Sequence, residues 1–195
     1  MTNYLIKPIG NVDIEITNKC KFKKLNYCKR PDIKNSLDKA RIDGEKLLKQ
    51  LEENNKLIEY LEFPIINKGT VFCKKYFKEQ PFTLLFVLTD QKNKPHDADT
   101  VHFGEIIKLC EKKITNSYNI KLGFITLTND LSEFNKNYDE LSQYFNNEKE
   151  DIIKFDYSDD EVVVFTQAGL PETRVALLLH CIQRFSKEVV QIAAP

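Results

Sequence analysis

The side chains of this sequence that could meet a polar ligand fall into three short segments. Gly10, Asn11 and Asp13 lie in PIGNVD. Thr89 and Gln91 close FVLTDQ, with Asp99 and Thr100 following in DADT. Gln167, Ala168, Gly169, Pro171, Thr173 and Arg174 belong to FTQAGLPETR. Together they offer hydroxyls, amides, an arginine and, around the glycines, backbone N–H groups. That inventory suits phosphates and base edges better than an apolar ligand. Asn11, Gln91 and Gln167 each carry the paired donor and acceptor that can read a nucleobase.

Several chemistries are excluded by what these segments lack. GNVD is not GxGxxG, and neither GxxxxGK[ST] nor GxSxG occurs. A dinucleotide cofactor, a P-loop nucleotidase and a nucleophile-elbow hydrolase therefore do not fit. His96, Asp97, Asp99 and His102 are metal-ligating types, but their spacing fits no common ligand motif. They read as caps and solvated groups at a loop–helix junction, with Asp97 or Asp99 capping the helix near Thr100. No metal and no cofactor is expected, and no catalytic residue can be assigned. His180 reads as a satisfied, partly buried histidine inside the last helix.

Each candidate segment follows an apolar run that must position it. Residues 4–9 (YLIKPI) read as a first strand and 82–88 (FTLLFVL) as a central strand covered on both faces. Residues 162–165 (VVVF), rich in β-branched side chains, read as a third. Pro171 suits a first helical turn, and Val175, Leu178, Leu179, Ile182 and Phe185 then repeat as an apolar helix face. A strand, glycine turn and helix in succession present free N–H groups and a positive dipole end at the carboxyl edge of a sheet. An ordinary connection with no ligand has the same local pattern.

The rest of the chain continues the alternation. A helix is expected from Asn35–Ser36, with Leu37, Ala40, Leu47, Leu48 and Leu51 on one face and Gly44 marking close packing. Residues 57–66 stay undecided between a helix end and a short strand, and 71–77 read as a short helix. Phe103, Ile106, Ile107, Cys110 and Ile114 form the next buried helix face, followed by a strand over 122–127. Leu131, Phe134, Tyr138, Leu141 and Phe145 mark a further helix, and 152–155 a short strand. The class is α/β: a Rossmann-like, mainly parallel sheet with helices on both faces.

At 195 residues, one domain spanning 1–195 is expected. Lysine plus arginine and aspartate plus glutamate both total 29, so the net charge is zero. That argues against coating nucleic acid or an anionic membrane through bulk charge, and no direct DNA binding is expected. The basic run at 17–35 (Lys19, Lys21, Lys23, Lys24, Lys29, Arg30) reads as a surface excursion, with a phosphate-touching role as the alternative. No apolar run could span a membrane and no signal-peptide core begins the chain, so a cytoplasmic protein is expected. The 5 cysteines form no CxxC pair; buried free thiols at Cys110 and Cys181 fit better than a disulfide framework.

In their order and spacing, PIGNVD, FVLTDQ with DADT, and FTQAGLPETRVALLL resemble the CRISPR-associated Rossmann fold (CARF) family. The resemblance runs from residue 4 to about residue 185, with 17–80 matching only in general character. It implies a homodimeric sensor of cyclic oligoadenylates, tetra- or hexa-adenylate, made by type III CRISPR antiviral systems. The ring would lie across the dimer two-fold, touched by the same loops from both subunits. Gly10, Asn11 and Asp13 would then line the first loop, and Thr89, Gln91, Asp99 and Thr100 the middle one. Residues 167–174 would cradle ribose and phosphate, Thr173 and Arg174 nearest. Family members usually add an effector domain, which finds no room within 1–195. Two other readings stay open. A stand-alone, metal-independent ring nuclease would let a ribose 2′-hydroxyl attack its neighbouring phosphate. A Rossmann-like domain with an unrelated nucleotide or a structural role is the other. Binding is favoured over cleavage because neither Thr173 nor Arg174 is a general base.

Overall fold

Strands without a polar side must be covered from both faces, and helices of this chain do so. The computed structural model describes residues 1–23, 25, 40–91, 99–115, 119–130, 133–146 and 155–192. Its strands are β1 (Asn3–Pro8), β2 (Glu15–Ile16), β3 (Leu61–Glu62), β4 (Phe82–Thr89), β5 (Ile120–Leu127), β6 (Glu161–Phe165) and β7 (Val189–Ile192). Its α-helices are α1 (Ala40–Glu53), α2 (Pro64–Tyr76), α3 (Val101–Leu109), α4 (Glu111–Thr115), α5 (Phe134–Phe145) and α6 (Pro171–Arg184). Five strands form one parallel sheet in the order β5-β4-β1-β6-β7, while β2 and β3 pair antiparallel within the first crossover. The α/β Rossmann-like expectation holds. Counted in chain order, the five strands run 3-2-1-4-5, and the direction of winding reverses between β1 and β6.

Alternate residues of β1 feed two cores, as the two-residue period of a strand requires. Leu5 joins Leu84, Phe86 and Val163 on the face covered by α1, α2 and α3, through Leu47, Leu51, Ile66 and Phe103. Ile6 joins Leu85, Val87 and Val164 on the face covered by α5 and α6, through Leu141, Phe145, Ala176 and Leu177. Gly44 lets α1 close on α3, since a Cβ there would stand 3.1 Å from the Phe103 ring. The expected face Phe103, Ile106, Ile107, Cys110 and Ile114 is buried throughout. Cys110 and Cys181 are buried free thiols, as is Cys73, whereas Cys20 is exposed.

Other expectations change. The undecided run at 57–66 resolves into a 3-10 helix (Asn55–Tyr60), β3, and the start of α2 at Pro64. Proline at the first helical position turns EFPII into a helix opening, so the short helix expected at 71–77 begins earlier. β7 went unforeseen, being four residues of a half-exposed edge strand. The face of α6 also differs: Thr173, Ala176, Leu177, His180 and Cys181 point inward, and Val175, Leu179 and Ile182 are exposed. Of the expected face, Phe185 is buried; Leu177 and His180 take inner positions beside the smaller Thr173, Ala176 and Cys181. The helix start at Asn35–Ser36, Leu37, Leu131 and residues 152–154 of the expected short strand lie outside the described residues.

His180 is satisfied, and fully buried. Its Nε2 donates to the Tyr138 carbonyl at 2.8 Å, and its ring stacks on Tyr138 with centroids 3.9 Å apart. Burial pushes its pKa below the ordinary 6.5, the Tyr138 bond opposes this, and the nearby Arg184 cation adds to it. The unfolded chain therefore binds a proton that the folded chain refuses. Stability is expected to fall as pH drops through about 6.5, levelling off once the folded-state value is passed. Thermal denaturation between about pH 7 and pH 5 measures this, and a His180→Gln variant should show a flatter profile.

Candidate functional site

The sheet order sets three loops side by side at one carboxyl edge: those after β4, β1 and β6. Between β1 and β6, where the winding reverses, an open α/β sheet leaves a crevice. The two glycine turns meet there within a single chain. Gly169 has φ +88°, and a Cβ on it would stand 2.6 Å from Cβ of Pro8, the last residue of β1. A Cβ on Gly10 would come within 3.0 Å of the Gly169 nitrogen and 3.2 Å of the Ala168 Cβ. Glycine is thus required at 169 on both conformational and steric grounds.

The amino end of α6 lies at this crevice, with Glu172 the acidic residue of its first turn. Leu170 sits at its N-cap, Pro171 opens it, and no side chain caps it. The Thr173 hydroxyl is buried and has no hydrogen-bond partner among the described residues. Arg174 Nη1 donates to the Thr166 carbonyl at 3.0 Å, folding the side chain back over the turn, while its buried Nε has no partner among the described residues. Gln191 Nε2 donates to Thr166 Oγ1 at 2.9 Å, so β7 braces the same turn. Uncapped N–H groups, a spare hydroxyl and a guanidinium make this turn a candidate anion cradle, with the Glu172 carboxylate in the same helical turn opposing the dipole. Gln167 and Gly169 are half-buried beside it, Ala168 is buried and Pro171 is exposed.

The β1 loop is held from inside. The Gly10 N–H donates to Asp13 Oδ2 at 2.8 Å, and the Asp13 N–H donates to the Gly10 carbonyl at 3.1 Å. Asp13 Oδ1 lies 2.7 Å from Lys7 Nζ, both side chains being 0% exposed. Lys7 Nζ also donates to the Pro8 carbonyl at 3.2 Å and sits 5.3 Å from the centroid of the Phe165 ring. Burial pushes the Lys7 ammonium down and the Asp13 carboxyl up; each partner's charge opposes the shift of the other. Asp13 thus shapes the loop from within, and Asn11 stands in the 3-10 turn Asn11–Asp13 that it closes.

The β4 loop is also closed on itself. Thr89 and Thr100 exchange bonds: the Thr89 N–H to Thr100 Oγ1 at 3.1 Å, and the Thr100 N–H to Thr89 Oγ1 at 3.0 Å. Asp99 does not cap the following helix. Thr100 is at that N-cap with its side chain turned to Thr89 rather than to the helix, and the Asp99 carboxylate is held elsewhere. It accepts Arg41 Nη1 at 2.6 Å and, from Gln91, the backbone N–H at 3.2 Å and Nε2 at 3.1 Å. Arg41 Nη2 reaches Asp90 at 2.8 Å, so α1 pins both ends of the loop. His96 and Asp97 lie outside the described residues, among which no three acidic, histidine or cysteine side chains converge to hold a metal ion. At the end of β5, Glu140 accepts the N–H groups of Thr128 and Asn129 and the Thr128 hydroxyl. A protein carboxylate thus takes up the N–H groups that follow β5.

Sequence reasoning missed Lys7 and Arg41. Lys7 had a signal, a lone charge in an apolar strand with an aspartate shortly after it; Arg41 had none, its partners being distant in sequence. No family model and no curated protein matches the chain. Among solved structures, Enterococcus italicus Csm6 bound to cyclic hexa-2'-fluoro-hexa-dAMP is similar, with a TM-score of 0.45 and 15% sequence identity. The match covers 100% of this chain and 34% of that one, so the chain spans about a third of that protein's length. Among the described residues, no helix is long and apolar enough to cross a membrane.

Proposed function

We propose that this chain is a CARF-type sensor domain that binds a cyclic oligoadenylate at the carboxyl edge of its sheet, as a cytoplasmic homodimer serving a type III CRISPR antiviral effector. The observation that carries the reading is the amino end of α6, which has no side-chain cap at Leu170. Its unpartnered Thr173 hydroxyl and Arg174 Nε sit beside the Gly10–Gly169 contact, at the switch point of the sheet. The three segments that resemble the family are the three loops gathered at that edge. The Thr173 hydroxyl, the Arg174 Nε and the turn N–H groups would hold a ribose phosphate, with Gln167 beside them for a base edge. Asp13, Thr89, Asp99 and Thr100 would act by fixing the loops.

The dimer draws support from the outer face of α6. Leu170, Val175, Leu179 and Ile182 form an exposed apolar row that starts at the same turn as the cradle. A second copy packed on this row would bury it and set two cradles about one axis, matching a ligand with two-fold symmetry. Sedimentation of wild type and Ile182→Glu is the check, the variant being expected to sediment as the smaller species.

Binding without cleavage is the favoured chemistry, since neither Thr173 nor Arg174 is a general base and His180 is buried against Tyr138. Calorimetry with cyclic tetra- and hexa-adenylate tests the reading; absence of heat with both at micromolar concentration overturns it. Arg174→Ala is expected to weaken the bound ring by about 1.5–3 kcal/mol, the worth of a charge-assisted hydrogen bond. Ligand recovered intact after long incubation with chelator would separate sensor from ring nuclease.

A further inference from the structure

Helix α2 has two different long sides. Ile66, Gly69, Thr70 and Cys73 are buried against the sheet. On the other side Lys68, Val71, Phe72, Lys75 and Tyr76 recur at helical spacing, all exposed, and exposed Lys78 follows the helix end. Val71, Phe72 and Tyr76 are 52%, 40% and 36% exposed. The Phe72 and Tyr76 rings lie nearly parallel, 13° between planes and 5.9 Å between centroids. Among the described residues the ammonium groups of Lys68, Lys75 and Lys78 have no ion-pair partner, whereas Lys74 pairs with Glu79 at 3.2 Å. Glu161 and Glu188 lie near Tyr76, and Glu161 is engaged by Lys187 at 3.7 Å.

We propose that this face of α2 binds single-stranded nucleic acid, with bases stacking on Phe72 and Tyr76 and phosphates meeting Lys68, Lys75 and Lys78. Lysines alone would suit any anion, and aromatic rings alone any apolar partner. Their interleaving on one face suits a polymer that alternates flat bases with phosphates. Lys68 and Lys75 stand about 10 Å apart along the axis, so they can serve different phosphates of one strand. A duplex hides its base faces and gains little from the ring pair. The patch is local and does not depend on net charge, which is zero. It is also separate from the cradle: α2 ends at Tyr76 just before β4 begins, which places the ring pair toward the opposite edge of the sheet.

Fluorescence anisotropy with a labelled oligothymidylate of about 15 nucleotides, titrated with the full chain, tests this. Saturable binding is expected, with log K falling against log salt at a slope of about −2 for three phosphates neutralised. Phe72→Ala/Tyr76→Ala should weaken binding about tenfold or more. Lys68→Glu/Lys75→Glu, which leaves the packing untouched, should weaken it similarly and flatten the salt slope. Arg174→Ala should bind as wild type does. Absence of binding at low salt, unchanged affinity in the charge-reversed variant, or loss of affinity in Arg174→Ala would each overturn the proposal. So would saturable binding to anionic lipid vesicles without affinity for the oligonucleotide.

Discussion

Gly169→Ala is expected to lower the stability of the fold by about 2–4 kcal/mol and to remove binding at the cradle, the backbone penalty alone being about 1–2 kcal/mol. A side chain at φ +88° carries that penalty before any contact is counted. The added methyl would then meet the Pro8 ring at 2.6 Å. Pro8 has little room to retreat, since its backbone is paired with Val87 at the centre of the sheet. The strain is relieved only by moving the 166–170 turn, which carries the amino end of α6 away from Gly10. Gly10→Ala supplies the comparison. Its φ of −129° is extended, and the nearest contact of the new methyl is 3.0 Å, so a loss of about 1 kcal/mol is expected. Urea denaturation of both variants reads the difference in midpoint. Equal midpoints would mean that the Pro8 contact is not tight.

That comparison also shows what a sequence can carry. Gly169 was legible because a glycine between a β-branched run and a helix-opening proline has few other readings, and all the information lies within ten residues. The same holds for β4, whose continuous apolar run has no polar side to place outward. The face of α6 was not legible, because periodicity sees hydrophobicity and not fit. Val175, Leu179 and Ile182 satisfy the helical repeat, yet the packed side is the one with Thr173, Ala176, Leu177, His180 and Cys181, where two polar residues find buried places. Asp99 was misread for a related reason. An aspartate before a helix is ordinarily its cap, but Arg41, far away in sequence, offers Asp99 a charged hydrogen bond at 2.6 Å that a local N–H cannot match, while its other nitrogen holds Asp90. The division of the candidate residues into those that hold loops and those with groups to spare depended on such distant partners. Thr89 with Thr100, and Asp13 with Lys7, are pairs whose meeting only the sheet decides.

Lys7→Met is expected to be the most damaging single change near the site, because it leaves Asp13 charged or forces it to protonate in a place without water. The loss of one partner of a buried pair is of the order of 3–5 kcal/mol. Asp13→Asn should be milder. Asparagine keeps an oxygen for the Gly10 N–H, and burial already pulls the Lys7 ammonium toward its neutral form. The double variant Lys7→Met/Asp13→Asn is the informative one. With both charges gone there is no buried ion left to penalise, so it should be more stable than Lys7→Met by about 2 kcal/mol or more. The Gly10 loop should also regain its shape, since the bond that closes it does not need the charge. A cycle of the four proteins by urea denaturation measures the coupling, and additive effects would show that the two side chains do not depend on each other. If the pair serves the site by holding Gly10 against Gly169, calorimetry should find ligand binding lost in Lys7→Met and restored in the double variant. Buried charge would then be the means by which β1 sets the position of the Gly10 loop.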